Sequence, residues 1–216
     1  MSIKYKVLDP AGNITVIVTT PTLEKDRRFV ADYIMTIEKD AEQVGFLSGN
    51  ILNMAGGEFC GNATRCASFL TGSNEIICSG VKIRCEGTAA YLPKDLKGIN
   101  HFIFESEIEN PEEKVKELSK GVDATGLMFW NEKEQFLKPL VYVPTADTLF
   151  WENSCASGTA ALANYLSEKY GDVDLDIKEP GGVLHIKTSK DDPFVKLDSE
   201  IVLLKEGEVC IPELNY

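Results

Sequence analysis

Two stretches set far apart in the chain place a cysteine directly before a run of small residues. The first is Gly56-Gly57-Glu58-Phe59-Cys60-Gly61-Asn62-Ala63-Thr64, the second Trp151-Glu152-Asn153-Ser154-Cys155-Ala156-Ser157-Gly158-Thr159. Each reads as the head of a helix, and each sits in the same succession of elements. Ahead of Cys60, apolar patterning predicts strands over 3–8 and 14–19, a helix with Phe29, Val30, Tyr33, Ile34 and Ile37 on one face, and strands over 43–47 and 51–54. Strands over 76–79, 81–85 and 88–92 follow. The second round predicts a strand over 101–105, then a helix opened by Asn110-Pro111 with the asparagine as its cap. Strands over 127–130, 140–143 and 148–151 come next, then the Cys155 helix and further strands to residue 210. This order predicts an α+β chain of two pseudo-symmetric lobes, residues 1–107 and 108–216, each a curved, mostly antiparallel sheet or barrel around a Cys-led helix. The last strand is free to pack on the first lobe. The two helix heads are expected to face each other across the lobe interface, where ligand sites form.

A thiol at a helix N-terminus meets unpaired N–H groups and the positive end of the macrodipole, so its pKa is expected to fall. Two such thiols on opposite sides of a carbon suit the inversion of an amino-acid stereocentre. One removes the α-proton and the other returns a proton to the opposite face. The convergent backbone N–H groups would hold the substrate carboxylate and favour the charge that develops as the Cα–H bond breaks.

Of the 216 residues, 22 are Lys or Arg and 34 are Asp or Glu, a net charge of −12. No basic cluster offers a nucleic-acid or membrane surface, so neither is an expected partner. The N-terminus has no signal-peptide core and no apolar run reaches the length of a membrane span, which makes the cytoplasm the expected location. Six cysteines without a C-x-x-C pair, beside only two histidines, argue against a disulfide framework, a thiol-redox motif and a zinc site. No metal and no cofactor are expected.

Cys60-Gly61-Asn62-Ala63-Thr64-Arg65-Cys66 resembles the first-cysteine motif of the diaminopimelate epimerase family, and Cys155-Ala156-Ser157-Gly158-Thr159 resembles its second. Pro10-Ala11-Gly12-Asn13 is similar to the family's Gly-Asn segment, and the duplicated order extends the likeness over most of the chain. The resemblance implies the diaminopimelate epimerase-like fold and a racemase or epimerase that needs no pyridoxal phosphate. It implies Cys60 and Cys155 as the acid/base pair, the backbone of Gly61, Asn62, Ala156 and Ser157 at the substrate carboxylate, and Asn13 and Glu152 as further substrate contacts. A homodimer is a possible assembly.

The chain also departs from the family pattern. Asn153 follows Glu152 where diaminopimelate epimerases carry an arginine for the distal carboxylate, which argues against diaminopimelate. Asn62 stands where proline racemases carry histidine, and Ala156 replaces the glycine that usually follows the second cysteine. A polar amino acid such as histidine fits better. One alternative is an isomerase similar to the phenazine-biosynthesis family, with Glu58 as its acid/base; another is a non-catalytic small-molecule binder on the same fold. Glu58 otherwise reads as an exposed loop residue and Arg65 as a surface ion-pair partner. His101 and His185 read as strand residues with nothing to pair with, and Cys66, Cys78, Cys85 and Cys210 as packing.

Overall fold

The computed structural model describes residues 1–96, 99–145 and 147–211; residues 212–216, the end of the expected second lobe, lie outside it. The first half holds β1 (Ser2–Asp9), β2 (Thr15–Val18), α1 (Glu24–Ile37), β3 (Gln43–Ser48), β4 (Ile51–Met54), α2 (Gly61–Thr71), β5 (Glu75–Cys78), β6 (Val81–Glu86) and β7 (Ala89–Pro93). The second holds β8 (Ile99–Phe104), α3 (Pro111–Leu118), β9 (Ala124–Asn131), β10 (Phe136–Val143), β11 (Thr148–Trp151), α4 (Ala156–Tyr170), β12 (Val173–Glu179), β13 (Gly182–Thr188), β14 (Phe194–Asp198) and β15 (Val202–Cys210).

The strands form one continuous, mostly antiparallel path, β15-β1-β2-β3-β4-β5-β6-β7-β14-β13-β12-β10-β9-β8, with β11 on β10. β7 pairs with β14 to join the halves, and β15 pairs with β1 along its whole length. In each half a parallel strand pair is bridged by an outer helix: β2 and β3 by α1, β8 and β9 by α3. The sheet curls around α2 and α4, and one apolar cluster containing Ala63, Cys66, Ala67, Leu162, Ala163 and Leu166 spans both halves. Small side chains make that enclosure possible. Every residue of α2 from Gly61 to Ser68 is buried.

The two inner helices end alike as well as begin alike. Gly72, in the left-handed region at φ 66°, closes α2 by donating its N–H to Ser68 O at 2.8 Å; Gly171 closes α4 by donating to Ser167 O at 2.9 Å. At the rim, the β1–β2 turn touches the β12–β13 turn so closely that a Cβ on Gly12 would lie 2.3 Å from Gly181 Cα.

Several expectations change. Asn110 adopts a left-handed conformation and makes no side-chain cap to α3, so the start rests on Pro111 and the first-turn acids Glu112 and Glu113. Ile37 turns outward at the end of α1, and Cys210 is exposed on β15. His185 pairs across the strands with Asp176 at 2.8 Å and Asp174 at 3.2 Å.

Arg65 is the largest change. It lies on the buried side of α2, fully enclosed, and donates to Thr88 O and Ser199 O at 2.8 Å each, to Ser199 Oγ, and to Asn62 Oδ1 at 3.2 Å. A planar fork of donors is needed to serve that many acceptors at once. Arg65→Met fills the volume but strands those acceptors, and should lower the unfolding free energy by about 3–4 kcal/mol in urea denaturation.

Candidate active site

The heads of α2 and α4 meet end to end. A Cβ added to Gly61 would lie 2.8 Å from Ala156 Cβ and 3.6 Å from Ser157 N, so only glycine lets the two first turns approach this closely. Cys60 and Cys155 are the N-cap residues, with nearly matching backbones (φ −132°, ψ 116° and φ −130°, ψ 96°). One turn along, Thr64 Oγ1 donates to Cys60 O at 2.7 Å and Thr159 Oγ1 to Cys155 O at 2.8 Å. The site is therefore built twice, from the same parts.

A cavity of about 150 Å³ opens over this junction. Asn13, Cys60, Gly61, Asn62, Glu152, Cys155, Ala156 and Ser157 all line it, so the residues singled out from sequence share one space. Glu58 lines it too and is not an exposed loop residue; its Oε2 is buried without a hydrogen-bond partner, and burial raises its pKa. Asn62 holds the halves together, with Nδ2 at 3.2 Å from Asn13 Oδ1, Ser154 O and Ser154 Oγ.

Gln43 and Glu42 carried no signal in the sequence beyond the start of a strand. The Cys60 thiol donates to Gln43 Oε1 at 2.9 Å, while Gln43 Nε2 donates to Asn13 Oδ1 and to Thr15 Oγ1 at 2.8 Å. Glu42 accepts from Asn13 Nδ2 and from Asn153 Nδ2, each at 2.5 Å, and so ties the Gly-Asn turn to the loop before Cys155.

The electrostatics reverse one expectation. Both thiols are pushed well above the ordinary cysteine value, because loss of water outweighs the helix heads. For Cys60 the Ala63 N–H, 3.4 Å from Sγ, works against that burial. For Cys155 the Glu152 and Glu179 carboxyls add to it. Glu152 is itself raised to about 8, chiefly by burial, so Glu152 and Cys155 compete for protons as a pair.

Glu179, at the end of β12, is a second carboxyl that the sequence did not mark. It accepts the Cys155 N–H at 2.7 Å and contacts Thr159 Oγ1, and burial raises it to about 8. Thr159 Oγ1 is within donating reach of both Cys155 O and Glu179 Oε1, and its single proton serves one of them at a time. Cys78 occupies the corresponding place behind Cys60, with its Sγ 3.8 Å from Cys60 O. Among the described residues no group of His, Cys, Asp and Glu side chains is arranged to hold a metal ion.

A family model described as the histidine racemase CntK N-terminal domain matches residues 2–114 and again residues 85–209. A histidine racemase of Fusobacterium nucleatum subsp. nucleatum is 32% identical, over 96% of this chain and 99% of the relative. A histidine racemase of Staphylococcus aureus is 26% identical, over 87% of this chain and 89% of the relative. Among solved structures, a putative phenazine biosynthesis PhzC/PhzF protein from Clostridium difficile matches with a TM-score of 0.63 at 15% identity, over 97% of this chain and 100% of that one. A hydroxyproline epimerase from Agrobacterium vitis, solved with trans-4-hydroxy-L-proline, matches at 0.59 and 9% identity, over 96% and 92%.

The raised Glu179 has a consequence for stability. Its folded pKa of about 8 lies above the ordinary 4.5, so the folded chain binds an extra proton between these values. That contribution is complete below about pH 4.5 and is lost as pH rises through 8. Glu179→Gln mimics the protonated form and should flatten the fall in melting temperature from pH 5 to pH 8 by roughly 5–10 °C.

Proposed function

This chain belongs to the histidine racemase family, and from that premise we propose that it interconverts the two enantiomers of histidine by proton transfer between Cys60 and Cys155. That it is an amino-acid racemase rests on the curated relatives; the substrate and the residues are our reading. The observation that carries the mechanism is the end-to-end meeting of two Cys-capped helices across Gly61 and Ala156.

The free N–H groups at the heads of α2 and α4 receive the substrate carboxylate, and the α-carbon then lies between the two thiols. One cysteine, as thiolate, takes the α-proton. The other, as thiol, gives its proton to the opposite face, and the helix heads stabilise the negative charge passing through the carboxylate. A buried, high-pKa thiolate is a strong base, which suits a weakly acidic Cα–H. Ionising it requires an acceptor, and Glu152, titrating near 8 beside Cys155, is placed to be one. Gln43 orients the Cys60 thiol through its 2.9 Å contact.

Charge favours histidine over diaminopimelate. The cavity is lined by Glu42, Glu58 and Glu152, and its cation, Arg28, is already paired with Asp32 at 3.0 Å. A second substrate carboxylate would meet that excess of negative charge. An imidazole N–H, by contrast, suits the unpartnered Glu58 Oε2. The phenazine-type alternative would make Glu58 the acid/base and the cysteines dispensable.

The test is proton NMR in deuterated water. Histidine should lose its α-proton signal and racemise, and Cys60→Ser and Cys155→Ser should each slow both by about 10²–10⁴-fold. Activity that survives both substitutions defeats the two-thiol reading and favours the carboxylate one. Glu58→Gln should raise KM for histidine by about tenfold while kcat changes little.

A further inference from the structure

Cys155 has a polar neighbour that the reaction described above leaves idle. Its Sγ lies 3.7 Å from Ser157 Oγ, and Ser157 Oγ lies 3.2 Å from His101 Nε2. His101 therefore does have a partner, contrary to the expectation from sequence. Ser157 borders two spaces at once. It lines the active-site cavity, and with His101 it lines a separate cleft of about 630 Å³. That cleft lies in the seam between the end of β7, at Pro93 and Lys94, and the edge strand β8, alongside Ala160, Ala161 and Asn164 of α4. The imidazole is seated by the register of the sheet. His101 stands opposite Gly126 in the β8–β9 pairing, and a Cβ at Gly126 would come within 2.9 Å of His101 Cδ2.

Two-base inversion creates a need for such a path. Each turnover leaves the thiol and thiolate exchanged, and a further turnover in the same direction requires Cys155 to trade a proton with water. When substrate fills the cavity, that face of Cys155 is covered.

We propose that Ser157 and His101 form a proton wire that connects Cys155 to the β7–β8 cleft and resets its protonation state between turnovers. The inference rests on the two-thiol reading above. In the outward direction Cys155 Sγ gives its proton to Ser157 Oγ, Ser157 gives its own hydroxyl proton to His101 Nε2, and the ring releases its Nδ1 proton to water in the cleft. One proton leaves the thiol and one enters the water; no electrons change owner. The inward direction reverses each transfer. Burial holds the His101 pKa down to about 4, so near neutral pH the ring carries one proton and one free lone pair, the state that conducts without storing charge. His101 acts through Ser157 and does not touch substrate.

The test compares kcat with kcat/KM for histidine racemisation in wild type, His101→Leu and Ser157→Ala, the last keeping the backbone N–H. At low substrate the free enzyme has time to exchange protons through its open cavity; at saturation the wire sets the rate. The expected result is a kcat about tenfold lower in each variant, with kcat/KM within about twofold in His101→Leu, and recovery of kcat in His101→Ala on adding free imidazole. Equal falls in kcat and kcat/KM, or a loss that tracks the melting temperature with no rescue by imidazole, would assign His101 to packing and overturn the wire. Unchanged kcat in both variants overturns it as well. A wild type that exchanges no α-proton of any amino acid fails the two-thiol reading first, and the wire with it.

Discussion

The fold turns on the contact between two helix heads. Gly61 and Ala156 bring the first turns of α2 and α4 together, and the surrounding sheet is what forces them to meet. Two helix N-termini repel each other, because their partial positive charges converge. The arrangement persists because the cores behind each head are apolar and close-packed, and because Asn62, Asn13 and Ser154 bridge the junction with hydrogen bonds. The first turns of both helices, where N–H groups lack intrahelical partners, converge beside a small cavity. Such a place favours an anion, and a carboxylate is the anion that an amino acid brings.

The near-symmetry of the site makes its differences informative. Threonines 64 and 159 do the same work, and so do glycines 72 and 171. Behind the cysteines the copies part company: Cys78 sits behind Cys60, whereas Glu179 sits behind Cys155. Glu152 adds a second carboxyl on the same side, and His101 reaches Ser157 from β8. Titratable side chains are thus gathered beside one thiol, while Cys60 contacts the neutral amide of Gln43. A racemase must treat both faces of a carbon alike in the transition state. It has no need to recharge both bases by the same route.

Much of this was legible in the chain itself. The strands and the two Cys-led helices follow from local pattern, because alternation and small-residue runs are properties of neighbours in sequence. Cys60, Asn62, Cys155 and Ser157 stand out because they occur in motifs. Glu179, Gln43 and His101 lie outside them, and Arg65, though inside the first, reads there as a surface residue; each takes its meaning from a partner far along the chain: Ser199 for Arg65, Cys155 for Glu179, Cys60 for Gln43, Ser157 for His101. A charged residue on a helix reads as exposed until the element that covers it is known. The lowered thiol pKa expected at the helix heads failed for a related reason. The dipole is visible in sequence, but the depth of burial that outweighs it is not.

β15 crosses to the far edge of the sheet, running beside β1 from Ser2 opposite Cys210 to Asp9 opposite Val202. Ile211 and Val209 complete the apolar cluster beneath α1, built otherwise from residues of the first half. β1 therefore waits for a strand made much later, and these sequence-distant contacts are also among the most extensive in the structure. Synthesis cannot release a finished first half that works alone. β1 gains its outer partner only after both Cys-capped helices have been made.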